Sequence, residues 1–103
     1  MPTDSRYTQQ QWRETVVYFG GCCAYCGRTM RKHERLTKDH LIPRSDGGEM
    51  SQTNIVPACA DCNSSKGDQE WRNWYMKQPF FSRERMNKIF TWRSIIKAAG
   101  ENQ

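Results

Sequence analysis

With 103 residues, 16 Lys and Arg against 11 Asp and Glu, a net charge of +5 and a pI near 9.1, this is a small basic chain. Its length allows one domain, near the lower limit at which an apolar core suffices unaided, so an internal staple is expected. The charge permits a polyanionic partner without demonstrating one. No apolar run reaches membrane-spanning length and no secretion or lipidation pattern is present, so a soluble, cytoplasmic protein with no membrane partner is expected.

Residues 1–7 are polar. Thr8 and Gln11 then form a capping-box signature, and Trp12, Val16 and Phe19 recur at helical spacing until Gly20-Gly21, which predicts an amphipathic helix with its aromatic face in the core. Cys23-Ala24-Tyr25-Cys26-Gly27 is a CxxC knuckle. The basic stretch after it, Arg28 to Arg35, reads either as a solvated connector or as a loop that tracks phosphates, and His33 within it is expected to be an exposed loop histidine.

Leu36–Pro43 and Asn54–Pro57 are short strand candidates, and Ser45-Asp46-Gly47-Gly48-Glu49 between them is turn chemistry, so a hairpin with a long loop is predicted. Ala60 to Lys66 predicts a brief helix capped by Gly67. Asp68 is the expected N-cap of a further helix that carries Trp71, Trp74 and Tyr75 on one face and ends before Pro79. Ser82 is expected to cap a last helix, with Met86, Ile89, Phe90 and Ile96 at core spacing and Gly100 closing it.

Four of the five cysteines pair as CxxC units, Cys23 with Cys26 and Cys59 with Cys62, the usual ligand set of a closed tetrahedral zinc site. Disulfides or a redox CxxC compete with that reading. Both are disfavoured, because no signal peptide precedes Met1-Pro2-Thr3-Asp4 and no βαβ context surrounds the first knuckle. Cys22 would replace Cys23 only at a longer spacing, so it is expected outside the cage. A four-thiolate site has no open position; Zn2+ held there supports folding, and any chemistry needs another metal.

Asp39-His40, Asn54 and Asn63, the last directly after Cys62, bring a carboxylate, an imidazole and amides to this frame. Hydrolysis of a phosphodiester needs a base to generate hydroxide and a cation to neutralise the developing charge. His40 suits the first task, since an imidazole titrates near working pH. Asp39 offers the hard oxygen that Mg2+ or Mn2+ prefers, and Asn63, placed by the cage, offers an amide oxygen. Asn54 is expected to tie the long loop or the His40 backbone through side-chain hydrogen bonds. Lys66 reads as a helix-end cation or, with Arg44, as a contact to nucleic-acid phosphate. Neighbours on a regular strand face opposite sides, so Asp39 and His40 serve one phosphate only if the strand bends or they approach it from two directions.

The run Asp39-His40-Leu41-Ile42-Pro43-Arg44-Ser45-Asp46-Gly47-Gly48, then Asn54-Ile55-Val56-Pro57-Ala58-Cys59, then Asp61-Cys62-Asn63-Ser64-Ser65-Lys66-Gly67, with the Cys23 and Cys26 knuckle, resembles the HNH endonucleases, the ββα-metal nucleases. The resemblance implies an α+β fold: a small ββα-metal core with a structural four-cysteine zinc site and flanking helices. It divides one domain, 1–103, into an N-terminal helix (1–20), knuckles and core (21–67) and C-terminal helices (68–103). It also makes His40 the general base, Asp39 and Asn63 the ligands of a catalytic Mg2+ or Mn2+, and Asn54 the residue that holds the hairpin, with DNA cut to 5′-phosphate and 3′-hydroxyl ends. Asn63 stands where the family's last histidine often stands, which favours harder ions.

Small proteins similar to this one are often phage-encoded and linked to genome packaging, which would make packaging proteins its partners, while others belong to restriction or mobile-element systems. Monomer and homodimer both remain open. No DNA-reading module accompanies the core, so weak sequence preference and phosphate-dominated contacts are expected. The alternative from another class is a zinc-stabilised nucleic-acid-binding module without catalysis.

Overall fold

The computed structural model describes residues 7–101. Helix α1 (Gln9–Tyr18) opens with the expected capping box: Thr8 Oγ1 accepts the Gln11 N–H at 3.0 Å and Gln11 Oε1 accepts the Thr8 N–H at 2.9 Å. Phe19 is buried at its end, whereas Trp12 and Val16 are only half-buried. The enclosed residue inside this helix is instead Thr15, whose hydroxyl donates to Gln11 O at 2.9 Å and pairs with the Tyr7 hydroxyl at 2.7 Å. A satisfied threonine is neutral enough to sit in a core that hydropathy alone would deny it.

Strands β1 (Thr37–His40) and β2 (Ile55–Ala58) pair antiparallel, from Thr37 opposite Ala58 to His40 opposite Ile55. β1 is shorter than the expected run Leu36–Pro43, while β2 lies one residue further along than Asn54–Pro57. After Leu41 the chain leaves the ladder and enters a single 3-10 turn, Arg44–Asp46. Asn54 closes the loop that follows: its Oδ1 accepts the Ile42 N–H at 2.8 Å, and its Nδ2 donates to Ile42 O at 3.1 Å and Glu49 O at 3.0 Å. Gly48 packs on the same turn so closely that a Cβ there would lie 1.7 Å from Ile42 O, so no other residue is accommodated without moving the loop.

Helix α2 (Ala60–Lys66) begins at Cys59, whose sulfur accepts the Cys62 N–H, and stops at Gly67 with φ +53°. Asp68 is not the next cap. The turn after Gly67 runs on, with Gln69 N–H bonded to Lys66 O, so the first free helix start is Glu70, whose carboxylate accepts the Asn73 N–H and caps α3 (Trp71–Met76). Trp71, Trp74 and Tyr75 are buried from α3 as expected.

Helix α4 (Arg83–Glu101) starts where Ser82 Oγ accepts the Arg85 N–H at 3.1 Å. It does not end at Gly100, which lacks a positive φ and continues the helix. Its buried residues are Met86, Ile89 and Trp92, while Phe90 is 39% exposed and leans on Trp71 at 5.1 Å between ring centres. Trp92 and Arg93 donate to the Gln52 and Thr53 carbonyls at 3.1 and 3.0 Å, so α4 clasps the far end of the hairpin loop. The result is the α+β arrangement expected: β1, β2 and α2 form a ββα unit among flanking helices, with an aromatic core around the cysteines. Among the described residues no helix is long and apolar enough to cross a membrane.

Candidate active site

The two knuckles meet because each is anchored to the hairpin: Ala24 N–H donates to Pro57 O of β2 at 2.8 Å, and Cys59 follows β2 directly. The sulfurs of Cys23, Cys26, Cys59 and Cys62 all lie within 4.8 Å of one another, with Cys26 and Cys59 at 4.0 Å. A tetrahedron with Zn–S bonds of about 2.3 Å has S···S edges of about 3.8 Å, so the cluster matches a closed site and no pair is joined as a disulfide. The Cys62 thiol's hydrogen bond holds the Cys23 thiol well below the usual thiol range, while that same bond and burial push Cys62 up. Thiols this close stay part-protonated until a cation neutralises them, which is how a metal-ready cage behaves. The four cysteines are positioned to hold a metal ion such as zinc. Cys22 lies outside, its sulfur 3.4 Å from Gly20 O.

Beside the cage a cleft of about 200 Å3 is lined by Lys38, Asp39, His40, Pro43, Arg44, Asn63, Lys66, Gly67 and Asp68. Asp39, His40 and Asn63 are therefore brought together; Asn54 is not among them and acts on the loop behind. The opposition expected of strand neighbours is visible in burial, with Asp39 2% exposed and His40 half-buried. Both still reach the cleft because β1 ends at His40 and the chain turns away.

Asp39 and Asn63 are each held by polar neighbours. Asp39 Oδ2 accepts the Tyr25 hydroxyl at 2.6 Å, and Oδ1 lies 3.4 Å from Lys66 Nζ, which gives its shorter bond, 2.8 Å, to His40 O. Asn63 Nδ2 donates to Thr37 Oγ1 at 2.8 Å, and that hydroxyl donates onward to Ala58 O at 2.8 Å. The amide nitrogen is thus committed, which leaves the Asn63 oxygen as the atom for another ligand. Arg44 is exposed and its Nε stands 3.4 Å from His40 Nε2.

Burial pushes the Asp39 carboxyl up, and the Lys66 ammonium and Tyr25 hydroxyl pull it back. His40 moves below its usual 6.5 because burial and then the positive charges of Arg44 and Lys66 disfavour imidazolium. A neutral imidazole beside a buried carboxylate and a free amide oxygen can accept a proton and hold a hard cation in one space.

Lys66 is the basic residue in the last turn of α2, as a helix-end cation would be, but it is 1% exposed and forms a buried ion pair with Asp39, so it is not a free cation for a DNA phosphate. Its long stem is covered by the core and only its head meets the polar end of β1. Of the basic stretch, Arg28 is engaged with Glu34 at 2.8 Å, while Arg31, Lys32, His33 and Arg35 are exposed. Tyr25 and Thr37 were not singled out by sequence, since a tyrosine in a knuckle reads as core and a threonine in a strand reads as propensity.

An antiparallel hairpin and a helix, closed on a four-cysteine cage and framing a carboxylate, imidazole and amide, define a ββα metal-site domain. Residues 23–69 match the family model described as HNH endonuclease. The chain is 36% identical over 99 residues to the "SPbeta prophage-derived putative HNH endonuclease YoqL" of Bacillus subtilis (strain 168), covering 87% of this chain and 43% of that protein. It is 35% identical over 65 residues to the CRISPR-associated endonuclease Cas9 of Corynebacterium diphtheriae, covering 61% of this chain and 6% of that one. Against Cas9 of Actinomyces naeslundii the identity is 36% over 59 residues, with 55% and 5% covered. The chain spans less than half the length of the Bacillus protein and a small part of each Cas9. Residues 23–69 thus carry an HNH endonuclease domain match, and the likeness to the Bacillus protein extends it into the flanking residues.

Proposed function

We propose that this protein is a divalent-metal-dependent DNA endonuclease whose one domain hydrolyses phosphodiesters to 5′-phosphate and 3′-hydroxyl ends. The observation that carries the reading is the convergence of Asp39, His40 and Asn63 on one cleft beside the cysteine cage. Zn2+ in the cage serves folding, because four thiolates leave no open coordination position. Asp39 and the Asn63 oxygen are the hard donors that hold Mg2+ or Mn2+ in the cleft, and a bound ion would neutralise charge that develops on the phosphate and leaving oxygen.

His40 is the general base. Held neutral by its surroundings, it takes the proton of an attacking water, while the strand end fixes its ring at the cleft. Asn54 keeps the hairpin loop closed, which holds the turn that follows His40 in place. Arg44, exposed at the rim, offers a phosphate contact. Phosphate contacts of this kind give weak sequence preference and strong dependence on salt. The prophage origin of the Bacillus relative supports a phage setting, with action in a host cytoplasm and DNA packaging as the process to examine.

The test is conversion of supercoiled plasmid to nicked or linear DNA with Mg2+ or Mn2+, against a chelated control, with the ends assayed by ligation. His40→Ala should lower the rate about 10²- to 10⁴-fold, the usual worth of a positioned base. A His40→Ala protein as active as the parent would sink the mechanism, and DNA binding without cleavage under any divalent ion would favour a non-catalytic module.

A further inference from the structure

Tyr25 stands between two cage cysteines, yet its side chain is directed at the cleft. The ring is fully buried, edge-on to Trp74 and Tyr75 at 5.0 and 5.2 Å between centres. Its backbone carbonyl is gripped by the Tyr75 hydroxyl at 2.7 Å and Arg85 Nε at 2.6 Å. From this braced position the hydroxyl gives a 2.6 Å hydrogen bond to Asp39 Oδ2, short enough to mark a charge-assisted bond to a carboxylate.

We infer that Tyr25 is a positioning residue for the cleft's cation: it locks Oδ2 of Asp39, presents Oδ1 as the ligand atom, and makes the cleft's metal affinity depend on the cysteine cage. The inference deepens, and rests on, the reading of Asp39 as a metal ligand. The two carboxylate oxygens are held unequally. Oδ2 has the Tyr25 bond, whereas Oδ1 has only the 3.4 Å contact to an ammonium that spends its better bond on His40 O. A divalent cation therefore replaces a weak partner at Oδ1 and leaves the strong one at Oδ2 in place. Tyr25 lies one residue from Cys26 and two from Cys23, so any shift of the knuckle is carried by a rigid phenol to Asp39. Ligand-orienting hydrogen bonds of this kind alter metal affinity by about 10- to 100-fold when removed.

The test is Mn2+ titration of the zinc-loaded protein without DNA, with free Mn2+ read from its paramagnetic resonance signal. The parent should show one site that Asp39→Ala abolishes. Tyr25→Phe, which keeps the ring, should weaken that site about tenfold or more while zinc content and circular dichroism stay native, and should change nothing further in the Asp39→Ala background. In cleavage it should raise the metal concentration for half-maximal rate far more than it lowers the rate at saturating metal, a split that loss of packing alone does not give. Mn2+ affinity within twofold of the parent in a zinc-replete Tyr25→Phe protein overturns the inference.

Should that variant not hold zinc, the parent decides: with 113Cd in the cage, Mg2+ in the cleft should move the cadmium resonance, and an unmoved resonance overturns the coupling. Plasmid cleavage by the parent reports separately on the nuclease. A Tyr25-dependent Mn2+ site in a protein that cuts no DNA would refute the nuclease and leave the coupling standing.

Discussion

The cysteine cage and the Asp39–His40 cleft share helix α2, where Cys62 and Asn63 are neighbours, but they are built on different terms. In the cage the groups that hold the metal are the whole device, and the spacing of two knuckles nearly specifies it. In the cleft the carboxylate and the amide are each held by a polar group from another element, Asp39 by Tyr25 and Lys66 and Asn63 by Thr37, and the loop behind His40 is tied by Asn54. A soft-metal staple can be written in local sequence, whereas a hard-metal site in a small domain needs buried polar support assembled by the fold.

Breaking the cage should have the largest effect. Cys59→Ser, or removal of the metal by a chelator, should abolish the cooperative melt seen by circular dichroism. Structural zinc contributes about 10–16 kcal/mol in small zinc domains, against a total stability of about 5–15 kcal/mol. A cage variant that melts like the parent would show that the aromatic core suffices alone. Next comes Lys66→Met, which leaves the Asp39 carboxylate buried without its cation and should cost about 3–5 kcal/mol in chemical denaturation. A loss below about 1 kcal/mol would mean that the pair contributes as little as a surface one does. Asn54→Ala removes three hydrogen bonds to the loop and should cost about 2–3 kcal/mol, with faster amide exchange at Ile42 as the local signature. Slow exchange retained there would assign loop closure to Gly48 and the 3-10 turn instead.

The same contrast explains what the sequence disclosed. The hairpin, α2 and the choice of Cys23 over Cys22 were legible because turn chemistry, a glycine stop and CxxC spacing are local signals. So was the gathering of Asp39, His40 and Asn63 near the cage, which follows once the hairpin and knuckles are placed. Tyr25 and Asp39 are 14 residues apart and Lys66 is 27 from Asp39, and no periodicity links such pairs. Lys66 was legible as a helix-end cation, but its burial against Asp39 was not, because a lysine in a last helical turn ordinarily points to water. Asp68 misled because the turn after Gly67 continues for two residues, and α4 passed Gly100 because a glycine with ordinary φ stops nothing. Trp92 was absent from the expected core although it follows Ile89 at helical spacing; what covers it is Tyr18 and Phe19 at the end of α1 and the Gln52 carbonyl, contacts between distant residues that no local spacing gives.

The division of labour between cage and cleft is tested most directly by Asn63→Ala, since Asn63 adjoins a cage ligand in sequence but faces the cleft. Zinc content, thermal melt and Mg2+-dependent plasmid cleavage should be measured on one preparation. The account predicts full zinc, a melt close to the parent's and cleavage lowered by at least about a hundredfold. Cleavage at the parent's rate, with zinc and melt intact, would contradict it.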